Sequence, residues 1–389
     1  MQTVSNGSYC ILEHLGNDDE EYELAARGML LWGKMTDQFN ENTMGFATNS
    51  GVDRAYWKNR PFWGNNFLDD KPGLIAYAES HDEERIMFRN LNFGNNTNGS
   101  HNVRQLSVAL SRTEAMAAVL MAIPGPKMIW QFGEVGYDFS INRCENGTID
   151  QSCRTAPKPI RWDYWTVPVP NGRRRLYETF SAMARLRRQR PDAFNRATIA
   201  NGTSLGSNLW KTVVVDHSTL KMVVVANFNV NQATQSVTFP NTGTWFDYTN
   251  GGSITVAGTS QNVSLPAGGY RVYLNQNITG GLVTNVREQV ATDATFRLGV
   301  YPNPVRGKAT VQYELPQSGQ VHMQLINLQG QVVASRSMGF QLKGMQVFEL
   351  DRNNFAATPL VAGQYILQVR VGSTAVSYTH LTLPTIYSV

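Results

Sequence analysis

The chain has 389 residues, of which 42% are hydrophobic and 16% charged, and its formal net charge is +4. This length predicts two or three domains, and the apolar content excludes a disordered chain. No apolar run approaches the roughly 20 residues that a transmembrane helix needs, so we expect no transmembrane segment. The basic clusters lie in a helical pattern and predict a solvated helix face, so we expect no nucleic-acid partner.

The first half of the chain alternates short apolar runs with longer helical patterns, which predict helices at 18–27, 106–122 and 174–190. Strand–helix alternation predicts a parallel sheet with crossover helices, and in a barrel of such units function lies at the carboxyl ends of the strands. A closed barrel of this type needs eight strands. The apolar runs at 9–12, 29–32, 74–78 and 127–130 supply four, and together with the helical patterns they make up residues 1–192.

After Pro191 the pattern changes to short alternating runs separated by Asn- and Gly-rich turns. This pattern predicts a β-sandwich over residues 193–276. A polar stretch at 277–295 reads as a linker, and a second all-β unit is predicted for 296–377. Residues 378–389 do not continue the alternation, and we expect them to be a non-native tail outside the fold.

The three cysteines make neither a disulfide framework nor a zinc site. Cys144 and Cys153 flank a short polar loop that a disulfide could close in an oxidising compartment, and unpaired thiols are the alternative. Cys10 lies in an apolar run and is predicted to be a buried, inert thiol.

The segment 73–82 is an apolar strand that ends in Glu79, His81 and Asp82. Charged groups at the end of a buried strand are costly unless they are paired or used in function. By itself the pattern fits a helix cap as well as a catalytic site. Glu13 ends the first predicted strand in the same way, and two carboxylates from different strand ends fit the geometry of glycoside cleavage.

Four segments, in the same order, are similar to barrel motifs of the alpha-amylase family of glycoside hydrolases. ILEHLG at 11–16 resembles the fifth-strand motif, and MLLWG at 29–33 fits the sixth strand. AESHDEER at 78–85 resembles the "NHD" motif after the seventh strand, with Ser80 where the family more often has Asn. AIPGPKMIWQFGEVG at 122–136 resembles the eighth-strand segment. The resemblance implies that residues 1–192 form the C-terminal half of a (β/α)8 barrel, strands five to eight. The predicted fold is this half barrel followed by two all-β sandwich domains.

The resemblance implies a role for each matching residue. Glu13 would be the general acid/base and Asp82 the carboxylate that stabilises the transition state. His81 would donate hydrogen bonds to the hydroxyls of the cleaved sugar. Trp130 and Phe132 would stack on sugar faces, or alternatively pack in the barrel core. Glu79 and residues 83–85 are expected to form ion pairs and caps around this site.

The sequence also departs from the family pattern. The family's nucleophile is an Asp on the fourth strand, and nothing before Tyr9 supplies it. Residues 1–9 show no signal-peptide pattern and a strand pattern follows at once, as expected of a sequence cut from a longer one. The inserted domain that often carries calcium ligands in this family is expected to be missing too. Calcium is a possible cofactor of the full-length enzyme, and the cofactor stays undetermined from this sequence. We expect the 389-residue chain to be inactive alone.

Residues 296–377 resemble a second family. FRLGVYPNPV at the start, NLQG in the middle and PLVAGQY near the end are similar to the C-terminal sorting domain of the type IX secretion system. The alternative is a generic sugar-binding β-sandwich. The resemblance implies a secreted or cell-surface bacterial protein whose partner is the type IX secretion machinery.

The leading hypothesis for the whole chain is a fragment of a retaining enzyme that hydrolyses alpha-1,4-glucans such as starch, glycogen or maltooligosaccharides. A transglycosylating branching enzyme uses the same residues and is the first alternative. The second is a non-catalytic fragment whose sandwich at 193–276 binds glucan or supports the barrel.

Overall fold

The structure of the protein is a computed structural model. It describes residues 7–60, 73–166, 172–195, 199–278, 281–282, 297–301, 303–305, 307–315, 317–327, 329–351, 355, 360–371 and 374–383. The chain divides into two compact units, the first formed by Met1–Trp165 and Val169–Thr284 and the second by Thr166–Pro168 and Asn285–Val389.

The first unit begins with a four-stranded parallel sheet. Its strands are β1 (Ile11–Leu12), β2 (Leu30–Lys34), β3 (Leu74–Tyr77) and β4 (Lys127–Met128), and they pair in that order. Every residue of β3 is buried, as expected of a central parallel strand covered on both faces. The four strands lie where the apolar runs predict them.

Helices follow or separate these strands. They are α1 (Asp18–Ala26), α2 (Thr36–Met44), α3 (Ile86–Phe93), α4 (Leu106–Ala122), α5 (Asp163–Thr166), α6 (Arg173–Gln189) and α7 (Pro191–Asn195). The alanine-rich α4 is almost wholly buried, because small side chains let neighbouring elements approach it from all sides. The predicted helices at 18–27, 106–122 and 174–190 are confirmed to within one residue at each end.

A five-stranded antiparallel sheet completes the main part of the first unit, with strand order β5-β6-β11-β8-β9. A separate antiparallel pair joins β7 and β10. The strand bounds are β5 (Trp210–His217), β6 (Leu220–Asn227), β7 (Ala233–Thr238), β8 (Gly243–Asp247), β9 (Ser253–Val256), β10 (Ser260–Leu265) and β11 (Tyr270–Leu274).

The predicted boundary between domains at 192 and 193 does not separate two compact units. One face of the antiparallel sheet, including Val213 and Val224, shares a hydrophobic core with α4 and α6. The other face, including Val214 and Val223, packs around the buried Trp245. Because both faces are covered, β5 and β6 are near-continuous apolar runs rather than alternating ones, and the sheet is part of the first unit.

The second unit consists of two antiparallel sheets, ordered β12-β13-β16 and β15-β14-β17-β18. The strands are β12 (Arg297–Tyr301), β13 (Lys308–Leu315), β14 (Gly319–Asn327), β15 (Val332–Gln341), β16 (Gly344–Asp351), β17 (Gly363–Val371) and β18 (Thr374–Leu383). Alternate residues of β13 are buried, which is the pattern of a strand with one face on a core.

The predicted end of this unit at residue 377 is wrong. Strand β18 continues to Leu383 and pairs with β17 along this length. Leu381 and Leu383 are buried in the core of the unit, so the alternation of apolar residues does extend past 377. Residues 384–389 lie outside the described part of the chain.

Among the described residues, no helix combines the length and the apolar character that crossing a bilayer requires.

Candidate active site

Three titratable side chains meet beyond the carboxyl ends of β1 and β3. Glu13 follows β1 directly, and His81 and Asp82 follow β3 after a short turn. Both strands pair in parallel with β2, so their ends lie at the same edge of the sheet. His81 Nε2 lies 3.5 Å from Glu13 Oε1 and 3.7 Å from Asp82 Oδ1. All three side chains are between 43% and 49% exposed, so a ligand can reach them from solvent.

Two tryptophans flank the imidazole of His81. The ring centroid of Trp32 on β2 lies 5.7 Å from that of His81, and the ring centroid of Trp130 lies 5.8 Å away on tilted planes. Trp32 also makes an edge contact with Tyr77 at 5.3 Å, which fixes its orientation. Trp130 is one of the predicted site residues. Trp32 was not predicted as a site residue. Its position was a usable signal, because β2 lies between the strands that precede Glu13 and His81.

The buried Glu79 organises the turn that carries His81 and Asp82. Its Oε1 accepts hydrogen bonds from Arg85 Nε at 3.2 Å and from the backbone N–H of Ile86 at 2.8 Å, at the start of α3. Arg85 also donates to the carbonyl of Gln131 at 2.9 Å, which joins this turn to the segment after β4. Glu79 therefore caps the N-terminal end of α3. The side chains of His81 and Asp82 are not needed for this cap and can make other contacts.

The neighbouring residues Ser80 and Glu83 form a second group of contacts in this turn. The Ser80 hydroxyl donates to Glu83 and accepts the backbone N–H of Asp82 at 3.1 Å. Glu83 also lies 3.2 Å from Lys34 Nζ at the end of β2. The expected ion pairs and caps around the site are thus confirmed for Glu79 and Glu83.

Asp82 has a cationic partner that the sequence did not reveal. Arg154 Nη2 donates to Asp82 Oδ1 at 2.9 Å and also to the backbone carbonyl of Asp82. This hydrogen bond, with smaller contributions from the positive charges of His81 and Lys34, lowers the pKa of Asp82 below its ordinary value. Asp82 is therefore ionised at neutral pH.

Arg154 lies in the loop of residues 137–159, beside a disulfide that closes the middle of this loop. Cys144 and Cys153 are bonded, with their Cα atoms 5.0 Å apart, so the alternative of two free thiols does not hold in this structure. Glu84 anchors the start of the loop, because its carboxylate accepts the Ser140 hydroxyl at 2.6 Å and the Ile141 N–H at 2.8 Å. The segment between β4 and α5 is thus tied to the turn after β3.

Phe132 does not join the exposed group. It is 4% exposed, its ring stacks on Tyr137 at 5.9 Å and meets the edge of Trp162 at 4.9 Å. Its φ of 63° lies in the left-handed region, which a bulky residue adopts only when its surroundings hold it there. The expectation that Phe132 stacks on a sugar is therefore replaced by its alternative, a packing role. Cys10 is only partly buried, in contrast to its predicted full burial.

Glu13, His81 and Asp82 are also the only group in the described part of the chain whose possible metal-ligand atoms come together, all within 4.8 Å of one another. Exposed acidic groups often cluster without an ion, and no second feature points to a metal here. We assign none.

Comparison with known proteins found one family match and several matches to solved structures. Residues 299–380 match the family described as "Secretion system C-terminal sorting domain". The protein is a secreted or cell-surface bacterial protein. No curated protein matches the chain.

Solved structures of alpha-amylase type are similar to most of the chain at low identity. An Anoxybacillus alpha-amylase, described as a new glycosyl hydrolase subclass, is 13% identical with a TM-score of 0.50, and the match covers 71% of this chain and 55% of that one. AmyP in complex with maltose is 14% identical with a TM-score of 0.49, covering 68% and 55%. The cyclomaltodextrin glucanotransferase CldA is 15% identical with a TM-score of 0.49, covering 71% and 52%. The chain thus spans about half the length of the structures that it matches.

Proposed function

We propose that Glu13, His81 and Asp82 form part of the active site of a retaining glycoside hydrolase that acts on alpha-1,4-glucans. The observation that carries this proposal is the closeness of the two carboxylates, whose oxygens lie within 4.8 Å of each other beside the imidazole of His81. Carboxylates at this spacing can both reach one glycosidic bond. Their position at the carboxyl edge of a parallel sheet is where barrel enzymes place their chemistry.

The two carboxylates differ in their surroundings and so suit different tasks. Asp82 is held ionised by Arg154, and an ionised carboxylate stabilises the positive charge that develops on the sugar ring in the transition state. Among the described residues, the ion-pair partner of Glu13 is His81 and not an arginine. In our proposal Glu13 donates its proton to the leaving oxygen and later takes a proton from water.

His81 and the two tryptophans would bind the sugar rather than react with it. In the proposed complex the imidazole of His81 donates a hydrogen bond to a sugar hydroxyl. The indoles of Trp32 and Trp130 are partly exposed and can stack on the apolar faces of sugar rings.

We further propose that β1 to β4 correspond to the fifth to eighth strands of a (β/α)8 barrel. Their parallel pairing in chain order, with helices between them, supports this correspondence. The sheet formed by the described residues is open, with β1 and β4 at its two edges. A barrel of this kind closes with eight strands.

The retaining mechanism needs a carboxylate nucleophile in addition to the acid and the stabilising carboxylate. The described residues bring no third carboxylate into the group of Glu13, His81 and Asp82. We therefore propose that the 389-residue chain binds glucan without cleaving it. Release of reducing sugar from starch by the purified chain, lost in Glu13→Gln, would contradict this part of the proposal and identify the chain as a complete catalyst.

Calorimetric titration with maltoheptaose tests the site itself. We expect the wild-type chain to bind, and Glu13→Gln, His81→Ala and Asp82→Asn each to weaken binding at least fivefold. Asp216→Asn is the matched control, because this exposed carboxylate on β5 pairs with Lys221 on β6 and does not belong to the group of Glu13, His81 and Asp82. Absence of binding by the wild-type chain would refute the proposal. Product analysis of an active longer enzyme would separate hydrolysis, which gives oligosaccharides, from branching.

We also propose that the type IX secretion machinery is the partner of the second unit. The match of residues 299–380 to the sorting domain supports this assignment.

A further inference from the structure

Arg154 makes two contacts with the same residue of the site. Its Nη2 donates to Oδ1 of Asp82 at 2.9 Å and to the backbone carbonyl of Asp82. One guanidinium group thus holds both the side chain and the main chain of Asp82. Oδ2 of Asp82 makes no hydrogen bond with the described residues, so this oxygen can still accept one from a ligand.

An exposed ion pair is weak when its long side chains must first be ordered. The side chain of Arg154 is 43% exposed, so its position must be fixed by the backbone that carries it rather than by burial. It follows Cys153 directly, and the disulfide to Cys144 closes the loop at this point. Lys158 Nζ donates to the carbonyls of Cys153 and Ala156, both at 2.8 Å, and so holds the backbone on both sides of Arg154.

The other end of the loop is fixed on the same turn as Asp82. Glu84 accepts hydrogen bonds from Ser140 and Ile141, while the hydroxyl of Tyr137 donates to the carbonyl of Pro159 at 2.8 Å. Both ends of the loop are thus tied down, and the disulfide joins its middle.

We propose that this disulfide-closed loop acts as a clamp, and that Arg154 is a positioning residue which fixes the orientation of the Asp82 carboxylate toward the glucan. The inference rests on the proposed function for the role of Asp82. It adds a residue from the loop after β4 to the site and makes the geometry of the site depend on the oxidised state of Cys144 and Cys153.

The charged groups around Asp82 determine how the effect of the clamp on this carboxylate can be measured. The cations are Arg154, His81 and Lys34, and the nearby anions are Glu13 and Glu83. The Arg154 hydrogen bond is the largest influence on the pKa of Asp82 and lowers it. Loss of the clamp must therefore raise the pH at which Asp82 titrates, whether or not a glucan is bound.

The test uses the full 389-residue chain labelled with ¹³C at the aspartate carboxyl carbons, with the Asp82 resonance identified by its absence from Asp82→Asn. We expect the Asp82 titration midpoint to rise in Arg154→Ala and in the double variant Cys144→Ser, Cys153→Ser. Arg154→Lys should restore part of the shift. Arg174→Ala is the matched control, because Arg174 is an exposed arginine on α6 paired with Glu178. It should leave the midpoint unchanged.

Binding of maltoheptaose provides a second measurement. Arg154→Ala should weaken binding about three- to tenfold, the size expected for one charge-assisted hydrogen bond at an exposed site. Guanidinium ion at millimolar concentration should restore part of the affinity. In the background of Asp82→Asn, removal of Arg154 should have no further effect, because the two residues act as one unit.

The possible failures are distinguishable. An unchanged midpoint in Arg154→Ala overturns the positioning role. A midpoint that rises in Arg154→Ala but not in the cysteine double variant overturns the role of the disulfide. Failure of the wild-type chain to bind maltoheptaose refutes the proposed function and leaves the midpoint comparison valid.

Discussion

Glu114 on α4 and Arg175 on α6 form an ion pair at the boundary between a buried and a solvated environment. Arg175 Nε donates to Glu114 Oε2 at 3.0 Å, and their side chains are 42% and 6% exposed, respectively. Tyr270 on β11 donates to the same oxygen at 3.3 Å. One carboxylate therefore joins two helices and the antiparallel sheet.

This buried carboxylate predicts a pH-dependent stability. Burial raises the pKa of Glu114 to about 7, and the contacts with Arg175 and Tyr270 only partly oppose it. A carboxyl group whose folded pKa lies above its unfolded value of about 4.3 keeps its proton longer in the folded state, so stability falls as pH rises between these values. The loss reaches about 3 kcal/mol by pH 7.

Denaturant unfolding at several pH values between 4 and 8 measures this effect. The free energy of unfolding of the wild-type chain should decline across the window, and that of Glu114→Gln should decline less. Glu23→Gln serves as the control, since its carboxylate is exposed on the surface of α1. Parallel pH profiles for the wild-type chain and Glu114→Gln would show that Glu114 does not titrate as predicted.

Arg112 on α4 is predicted to be essential for the stability of the first unit. It is fully buried and donates to the carbonyls of Thr43 at 2.5 Å and Asn42 at 3.0 Å, in the last turn of α2, and to Phe228 after β6. Burial lowers its pKa to about 10, so it remains charged at neutral pH. Arg112→Met removes these hydrogen bonds from the buried carbonyls and should cost about 3 kcal/mol.

Thermal unfolding of Arg112→Met, compared with Arg174→Met at an exposed position of α6, checks this prediction. Arg112→Lys should also be destabilised, because an ammonium group cannot reproduce the fork of a guanidinium. If Arg112→Met melts with the wild-type chain, the buried hydrogen bonds of Arg112 do not contribute as inferred.

Trp32 should contribute to glucan affinity through the face of its ring. Trp32→Ala is expected to weaken maltoheptaose binding about tenfold, and Trp32→Phe should retain most of it, because stacking needs an aromatic face. The comparison is Phe340→Ala, an exposed aromatic residue on β15 of the second unit. Equal affinity of Trp32→Ala and the wild-type chain would place the sugar elsewhere.

The sorting domain should carry an unrelated protein out of the cell only if its last strand is complete. We expect a periplasmic fluorescent reporter fused to residues 285–389 to reach the surface or medium of a bacterium that has type IX secretion. The same fusion without residues 374–389 should stay inside, because it lacks the buried Leu381 and Leu383 of β18. Cell fractionation distinguishes the two, and export of both fusions would make β18 dispensable for sorting.

The sequence alone predicted the four strands of the parallel sheet and helices α1, α4 and α6, because hydrophobic periodicity depends on near neighbours in the chain. Glu13, His81 and Asp82 could be found in the same way, since each stands after an apolar strand. Their meeting also follows from the parallel order of β1, β2 and β3, which places strand ends at one edge.

Tertiary structure decided the rest of the site. Arg154 reaches Asp82 from 72 residues away through the path of a polar loop that has no periodicity to read. Phe132 and Trp130 are two residues apart with similar sequence surroundings, yet only Trp130 lies beside His81. Phe132 is instead buried against Tyr137 and against Trp162, which lies 30 residues further along the chain. The strand ends and their acidic and basic groups were thus encoded locally. Which side chains complete the site depended on contacts between distant segments, and these form only when the whole unit folds.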